Sequence, residues 1–379
     1  MAQLHLTDSG ILYVNPNPAQ WHVSAFFPNV VQLSASEFIC LYQRGDGMYA
    51  ANSDIALLRS LDGGQTWADE GFLHNRAHDG RPYSYHGTFV SRMGDGTLVA
   101  CPFRADRSDP DQPFFSDRGG LIANEPVLLH SRDGGRSWTP PAVMQLPPGL
   151  LATPAQAIVE LRDGRWLATF DRWPAYGDPG PYQPLMLCLF SSDRGATWGE
   201  LAVMADGAAQ GKGYWHGRAI RLADDRLFAL FWSADMRDPA RGPVDLPVHC
   251  AFADPTGRHW QTPQPTALPG QTNCAAQLPD GRLAAIYTWR ESEQPGFMVV
   301  LSPDGGRTWD LGSQVRVWDA TGWTHIGLNR PDQYPRSHDT IAFGAPSLLA
   351  TQDGELFASW WCTYASLTHL RWARLTLSP

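Results

Sequence analysis

Short apolar runs separated by tight polar turns recur along the whole chain of 379 residues. Each run is about five residues long, too short for a helix of ordinary length. Five of the runs follow a tight turn, which contains Asp-Gly in four of the five cases. Because Asp-Gly between apolar runs favours a hairpin, the pattern predicts an all-β protein built from antiparallel strands. The turns lie at Gly94–Leu98, Arg162–Trp166, Ala223–Leu227, Pro279–Leu283 and Gln352–Leu356.

An eight-residue turn with the pattern Ser-x-Asp-x-Gly-x-Thr/Ser-Trp occurs four times. Ser and Asp side chains can bond nearby backbone N–H groups, Gly supplies a positive φ, and Trp offers an apolar surface to pack against. One copy could arise by chance, but four copies in the same order indicate an architecture of repeats. The copies are Ser60–Trp67, Ser131–Trp138, Ser191–Trp198 and Ser302–Trp309. A fifth copy, Asp254–Trp260, lacks the serine and is one residue longer between Asp and Trp.

This turn resembles the Asp-box of sialidases and related proteins, in which it joins the third and fourth strands of a β-propeller blade. The spacing of the five copies fits one four-stranded blade for each interval. We therefore predict a single domain, residues 1–379, folded as a six-bladed β-propeller. The last blade lacks the turn, and the N-terminal segment HLTDSGILYV is expected to supply its fourth strand.

Composition narrows the class of protein. The chain is 43% hydrophobic and 18% charged, as expected of a globular protein, and its net charge of −9 argues against a nucleic-acid partner. Six cysteines are scattered singly, so we predict no metal site and no cofactor. No apolar run could span a membrane, and no signal peptide is visible. We expect a cytoplasmic protein, with a periplasmic location left open, and the oligomeric state stays undetermined.

Two aromatic-His-Gly phrases are candidates for chemistry. They place Tyr85 and His86 before the first strand of the second blade, and Trp215 and His216 before that of the fourth. The first strand of a blade lines the axis of a propeller, so the sequence predicts two histidines at like positions around one central site. Imidazole can act as a base or an acid near neutral pH, although a satisfied structural histidine is the alternative for each.

Charged and aromatic residues follow the second strand of several blades. Asp171 and Glu291 are the predicted carboxylates for acid or base chemistry, each next to an arginine with which it could instead form a plain ion pair. Arginines could bind a carboxylate on the ligand, and tryptophans could stack on sugar rings. The predicted catalytic residues are His86, His216, Asp171 and Glu291, and the predicted substrate-binding residues are Tyr85, Arg104, Arg172, Trp173, Trp215, Arg218, Asn273 and Arg290.

The resemblance to sialidases does not extend to their catalytic residues. Phe26 and Phe27 stand where that family has Arg-Ile, and Trp232 lies near a second expected arginine. His216 lies near the expected glutamate, and Phe343-Gly344 near the expected nucleophilic tyrosine. The fold implied by the resemblance favours a carbohydrate-active enzyme that cleaves a terminal, acidic sugar linkage of an oligosaccharide. Two alternatives stay open: a lyase acting on uronate- or rhamnose-containing glycans through His and Arg, and a glycan-binding propeller without catalysis.

Overall fold

The computed structural model describes residues 3–178, 182–238, 240–290, 292–321, 341–364 and 366–378. These residues form 27 strands in six sheets, which confirms the all-β prediction. The chain begins with β1 (Gln3–Tyr13), which belongs to the last sheet. Blade I then contains β2 (Ser24–Gln32), β3 (Phe38–Gly45), β4 (Asp54–Ser60) and β5 (Ala68–Phe72). Blade II contains β6 (Tyr83–His86), β7 (Val90–Arg92), β8 (Leu98–Ala100), β9 (Phe103–Asp106), β10 (Asn124–Ser131) and β11 (Ala142–Val143).

The other four sheets follow in chain order. Blade III contains β12 (Ala152–Pro154), β13 (Val159–Glu160), β14 (Trp166–Arg172), β15 (Leu185–Ser191) and β16 (Gly199–Asp206). Blade IV contains β17 (Lys212–Arg221), β18 (Leu227–Asp235), β19 (Val244–Ala253) and β20 (Gln264–Pro265). Blade V contains β21 (Asn273–Gln277), β22 (Leu283–Trp289), β23 (Gly296–Ser302) and β24 (Asp310–Asp319), and blade VI contains β25 (Phe343–Ala350), β26 (Leu356–Tyr364) and β27 (Leu367–Ser378).

Apolar cores between neighbouring blades close the sheets into a ring. Six clusters of buried side chains each draw on two blades adjacent in the chain, and the last cluster joins blade VI to blade I. In that last cluster, Trp361 of blade VI packs edge-on against Phe26 of blade I, with ring centroids 5.3 Å apart. Because every sheet buries both faces in this way, the apolar runs of the sequence are continuous rather than alternating. The six-bladed propeller predicted from the repeats is confirmed.

The N-terminal strand completes blade VI, as the sequence predicted. Strand β1 pairs antiparallel with β27, from Gln3 opposite Ser378 to Tyr13 opposite Leu370. The two ends of the described chain are thus hydrogen-bonded to each other in one sheet, with β1 as the outer strand of blade VI.

The Asp-box turns connect the third and fourth strands of blades I to V. In blade I, the hydroxyl of Ser60 donates to Asp62 Oδ1 at 2.7 Å, and the backbone N–H of Thr66 donates to the same atom at 2.9 Å. The indole N–H of Trp67 donates to the carbonyl of Gly64 at 3.0 Å. Hydrogen bonds from Thr66 and Ser60 lower the pKa of Asp62 to about 2. The motif is therefore a folding device located on the rim of the ring.

The first strands of three blades contain the same bulge. Phe27 in β2, His216 in β17 and Ala345 in β25 have φ of 53°, 52° and 44°, and each sits where the strand gains one residue over its partner. A bulge re-aims side chains and is frequent next to functional sites. These positions bring the innermost strands to the axis of the ring.

Helix is almost absent from the described residues. It amounts to two 3₁₀ turns, Arg76–His78 and Ala208–Gln210. No helix in this part of the chain is long and apolar enough to cross a membrane.

Candidate active site

A cavity opens on the axis of the propeller. Residues from all six blades line it, which is the arrangement expected of a propeller site, and its lining of aromatic side chains with a few polar groups is typical of a pocket for a small ligand. The lining combines aromatic rings with a few polar groups. The lining residues include Phe27, Gln43, Tyr49, His86, Phe89, Phe103, Phe114, Phe115, Thr153, Asp171, Trp173, His216, Arg218, Trp232, Thr272, Arg290, Gly344 and Trp361.

An imidazole paired with a buried carboxylate lies at the junction of blades III and IV. Asp171, near the end of β14, lies with its Oδ2 3.1 Å from Nδ1 of His216. Its other oxygen, Oδ1, accepts the backbone N–H of His216 at 2.8 Å. The side chain of Asp171 is 3% exposed, whereas that of His216 is 36% exposed. The carboxylate is therefore held behind the ring, and the ring faces the cavity.

The backbone of His216 explains why its side chain reaches the axis. A non-glycine residue with positive φ is uncommon and costs free energy unless the surroundings fix it. Here the hydrogen bond from the His216 N–H to Asp171 fixes it, and the ring lies on Trp232 with centroids 6.0 Å apart and planes 29° from parallel. Both interactions hold one orientation of the imidazole.

Two arginines reach the cavity from blades IV and V, and both are anchored to the first strand of blade VI. Arg290 donates to the carbonyl of Phe343 through Nε at 3.2 Å and Nη2 at 3.0 Å. Arg218 donates to the carbonyl of Pro346. Gly344 makes room for this arrangement, because a Cβ there would lie 2.6 Å from Nη2 of Arg290. The guanidinium groups are thus fixed in place before any ligand binds.

His86 also lines the cavity, but it occupies a different position from His216. It is 3% exposed, and its Nε2 lies 2.7 Å from the hydroxyl of Ser84. Burial, with a smaller contribution from the positive charge of Arg107, lowers the pKa of His86 to about 3. His86 is therefore a neutral side chain at physiological pH.

The prediction that the two histidines occupy like positions is wrong by one residue. His216 is itself the positive-φ residue of its bulge, whereas in blade II that residue is Gly87, with φ of 73°. His86 precedes the bulge and corresponds to Trp215 of blade IV, since each pairs with the second strand just before the extra residue. Successive side chains point to opposite faces of a strand, so the shift leaves His86 in the cavity wall with its ring packed against Phe103 and Phe114.

The structure brings half of the twelve predicted site residues to the cavity. His86, His216, Asp171, Trp173, Arg218 and Arg290 line it. Tyr85, Arg104, Arg172, Trp215 and Asn273 are not among its lining residues. The last of the twelve, Glu291, lies outside the residues that the structure describes.

Tyr85 and Arg104 face the outer seam between blades I and II. They are opposite each other on β6 and β9. The hydroxyl of Tyr85 donates to Asp79 at 3.1 Å, and burial raises its pKa. Arg104 donates to Glu125 at 2.9 Å and lies over the ring of Tyr83. The predicted contact of these two residues with a ligand in the axis cavity is therefore not supported by their placement.

The other three predicted binding residues lie behind or beside the cavity wall. Trp215 is 6% exposed, and its indole N–H donates to the hydroxyl of Tyr182 at 2.9 Å. Asn273 is fully buried on β21, where its amide donates to the carbonyl of Gln271. Arg172 is exposed and follows Asp171 on the opposite face of the strand, so Asp171 binds His216 instead of forming an ion pair with its neighbour.

Sequence reasoning missed the aromatic part of the cavity. Phe114 and Phe115 come from the long loop between β9 and β10, and Trp361 comes from β26. The available signal was the pair of adjacent phenylalanines within a loop rich in Asp, Pro and Gly, because such a loop has no reason to carry large apolar side chains unless they pack or bind.

Most of the positions at which the resemblance places the catalytic groups of sialidases face this cavity. Trp232, His216 and Gly344 line it, whereas at the expected Arg-Ile the lining residue is Phe27 and not Phe26. The positions matched to sialidases thus lie at or next to the axis cavity, and the side chains there differ in chemistry from those of sialidases. No cluster of three or more His, Cys, Asp or Glu side chains suited to a metal ion occurs in the described part of the chain.

A closed ring of six sheets, Asp-box turns on its rim and a mixed polar and aromatic cavity on its axis define a β-propeller of the sialidase type. The sequence pattern described as the BNR repeat-like domain matches residues 36–357, and the chain belongs to that family. No curated protein matches the chain.

Solved structures share the fold at low sequence identity. A protein of unknown function from Dyadobacter fermentans has a TM-score of 0.75 and 17% identity, with 99% of this chain and 100% of that chain covered. An α-L-arabinanase from Penicillium chrysogenum, in complex with arabinobiose, has a TM-score of 0.67 and 13% identity, with 98% of each chain covered. The Hadza microbial sialidase Hz136 has a TM-score of 0.64 and 15% identity, with 93% of this chain and 65% of that chain covered. At these identities the likeness concerns the fold.

Proposed function

We propose that the protein is a carbohydrate-active enzyme that cleaves a terminal linkage involving an acidic sugar, with His216 as the group that moves the proton. The observation that carries this proposal is the pair formed by His216 and Asp171 at the wall of the axis cavity. The sialidase and the arabinanase with similar folds support carbohydrate as the substrate class, since those two proteins are named for acting on glycans.

The geometry of the pair gives each atom a role. A carboxylate only accepts hydrogen bonds, so Nδ1 of His216 is the donor to Asp171 and Nε2 carries the lone pair. With Nδ1 engaged, Nε2 is the nitrogen left to take a proton from a ligand. Asp171 fixes the tautomer and stabilises the imidazolium that forms, as a buried carboxylate does in other imidazole-based sites. Asp171 is thus a positioning residue, and His216 is the catalytic base.

The charge of the cavity favours an anionic ligand. Among its described lining residues are two guanidinium groups, those of Arg218 and Arg290, and one carboxylate, that of Asp171, which leaves a net charge of +1. Guanidinium groups bind carboxylates in a charge-assisted, often bidentate manner. A uronate- or sialate-like sugar supplies such a carboxylate.

The residues favour elimination over hydrolysis as the chemistry. Glycoside hydrolysis ordinarily uses two carboxyl groups roughly 5–10 Å apart, one as acid and one as base or nucleophile. The described lining of this cavity contains one carboxylate, and that carboxylate is bonded to His216. Elimination from a uronate needs a base and a cationic group on the carboxylate, and the cavity contains both.

The elimination can be written as a balanced step. Nε2 of His216 removes the proton at C5 of the uronate while a guanidinium group stabilises the negative charge that develops on the carboxylate. A double bond forms between C4 and C5, and the bond between C4 and the glycosidic oxygen breaks. The departing oxygen takes up a proton from water, and the proton on Nε2 of His216 is later released to solvent. The products are an unsaturated uronate and an intact sugar hydroxyl.

A glycan panel tests the proposal. We expect turnover of oligosaccharides with a terminal linkage to an acidic sugar, and we expect the product to show new ultraviolet absorbance from its double bond. His216→Ala removes the activity. His259→Ala is the matched control, because His259 also pairs with a carboxylate, Asp254 at 2.6 Å, but is 81% exposed on the rim.

The possible results separate the alternatives. Release of reducing sugar without new absorbance contradicts elimination and supports hydrolysis. If no glycan is turned over, and glycan binding survives His216→Ala, the enzyme proposal is wrong and the propeller is a binding protein.

A further inference from the structure

The axis cavity has two chemically different sides. Its polar groups come mainly from blades III, IV and V, which contribute Asp171, His216, Arg218 and Arg290. The opposite side comes from blades VI, I and II, and its main lining is seven aromatic side chains, here called the aromatic wall: Phe27, Tyr49, Phe89, Phe103, Phe114, Phe115 and Trp361. Five of the seven are phenylalanines, which have no polar atom to offer to a ligand.

Three polar side chains on this side are turned to the protein. Gln43 donates to the carbonyl of Met48 and to Ser53, and its Oε1 is buried. His86 is engaged with Ser84 and is neutral. Nε1 of Trp361 is buried as well. The hydroxyl of Tyr49 is then the polar group that the described aromatic wall can present, which is too few partners for the several hydroxyl groups of a second sugar ring.

The aromatic wall is fixed in place by the surrounding structure. Arg107 is 4% exposed and donates to Ser84 at 2.9 Å and to the carbonyl of Tyr49 at 2.6 Å. Tyr49 in turn stacks on Phe114, with ring centroids 4.7 Å apart, and Phe115 packs on Trp173 at 5.7 Å. A preformed apolar surface binds an apolar group at a smaller cost in ordering than a mobile one.

We infer that the substrate carries an apolar group, such as an aryl or alkyl aglycone, next to its acidic sugar, and that the aromatic wall binds this group. A polyhydroxylated ring would lose its hydrogen bonds to water against phenylalanine and gain none in return, which is unfavourable. An apolar group loses nothing there and gains by leaving water. Tryptophan and tyrosine, which combine a ring with a polar atom, would be expected to predominate if this side bound a sugar, whereas five of its seven rings are phenylalanine.

This inference rests on the proposed function, because it assumes that an acidic sugar occupies the polar side. The experiment therefore measures binding, which does not depend on whether the reaction is elimination or hydrolysis. Three probes share one acidic sugar: methyl β-D-glucuronide, 3-phenylpropyl β-D-glucuronide and a disaccharide of glucuronic acid linked to glucose. Their affinities for the full chain are compared by titration calorimetry.

We expect the phenylpropyl glucuronide to bind about tenfold or more tightly than the methyl glucuronide, because its ring is removed from water. The disaccharide should bind no more tightly than the methyl glucuronide. A Phe115→Asn variant should lose most of the gain from the phenylpropyl group and keep its affinity for the methyl glucuronide. Met48→Gln, at the same side of the cavity, provides a second test if Phe115→Asn does not fold. Phe72→Asn is the control, since Phe72 is half-exposed on the outer edge of blade I.

The outcomes distinguish failure of this inference from failure of the proposed function. If the disaccharide binds more tightly than the phenylpropyl glucuronide, or if all three bind equally, the inference is overturned and the acidic-sugar site stands. If 3-phenylpropanol alone binds as tightly as its glucuronide and the methyl glucuronide does not bind, the acidic-sugar site is overturned. If none of the four compounds binds, both fail.

Discussion

Blades II and IV contain the same phrase, an aromatic residue, histidine and glycine, yet the histidine has a different environment in each blade. In blade IV the bulge falls on His216, which turns toward the cavity and binds Asp171. In blade II the bulge falls one residue later, on Gly87, and His86 is packed inside the structure as a neutral ring. The position of an extra residue in a strand therefore decides whether a histidine is available for chemistry.

The largest expected effect is a difference in turnover between variants at the two histidines. His216→Ala should lower turnover of the acidic glycan by about 10²–10⁴-fold, which is the usual contribution of a general base or acid. Thermal unfolding should change little, since the side chain is partly exposed. His86→Ala should do the reverse, lowering the melting temperature more than the turnover at permissive temperature. Full activity in His216→Ala together with inactivity of a folded His86→Ala would show that the wrong histidine has been chosen.

A smaller effect on activity is expected from Asp171→Asn. Asparagine has the same size as aspartate, but its NH₂ group cannot accept a hydrogen bond. Only one of the two His216 groups, the backbone N–H or Nδ1–H, would then keep its acceptor. We expect kcat to fall by about 10–10²-fold with KM nearly unchanged, because the residue positions the base and does not contact substrate. Steady-state kinetics give both constants. An increase in KM at constant kcat would place Asp171 in substrate binding instead.

The two glycines of the phrases should respond differently to substitution. Gly87 has a φ of 73°, and a Cβ there would make ordinary van der Waals contacts, at 3.6 Å from Phe103 and 3.7 Å from Phe89. Gly87→Ala should therefore cost about 1 kcal/mol through backbone strain alone, and Gly87→Asn less. Gly217 has no such φ, but a Cβ there would lie 2.8 Å from Phe231 and 2.9 Å from Met186. We expect Gly217→Ala to cost about 1–3 kcal/mol through overpacking, and Gly217→Asn more. Denaturant unfolding measures these changes, and a tolerant Gly217 would contradict the packing argument.

The smallest effect concerns the dependence of stability on pH. The pKa of His86 is about 3 in the folded protein and its ordinary value is 6.5. Between these values the unfolded chain binds a proton at this residue and the folded protein does not, so the free energy of unfolding falls as pH falls below about 6.5. The slope due to His86 is at most about 1.4 kcal/mol per pH unit. His86→Phe should flatten the curve between pH 4.5 and 6.5 by up to that amount, and an unchanged slope would contradict the neutral, buried ring.

The fold could be predicted from the sequence because its signals are local. Asp62 and the equivalent aspartates of the other boxes act within their own turn, so each octet identifies a blade without knowledge of its neighbours. The pairing of β1 with β27 followed from counting strands in the last blade. Repeated local signals of this kind are the most dependable part of a sequence.

The site could be predicted only in part because it depends on register and on long loops. Tyr85 and His86 are adjacent, yet one faces the seam between blades and the other faces the cavity. Nothing in the spacing of the phrase reveals which residue takes the bulge. Phe114 and Phe115 reach the cavity from a loop whose path is set by Arg107, through contacts distant in sequence. A shift of one residue, or a loop fold, moves a side chain from one environment to another.

The most direct test of the central claim is the structure of His216→Ala with a uronic-acid disaccharide bound. We predict that the sugar carboxylate lies within about 3 Å of the guanidinium group of Arg218 or Arg290, a hydrogen-bonded ion-pair distance. We also predict that the proton at C5 of the uronate faces the space left by the imidazole, in front of Asp171. A disaccharide bound at the outer seam beside Arg104, or bound on the axis with its carboxylate against the aromatic wall, would contradict the account.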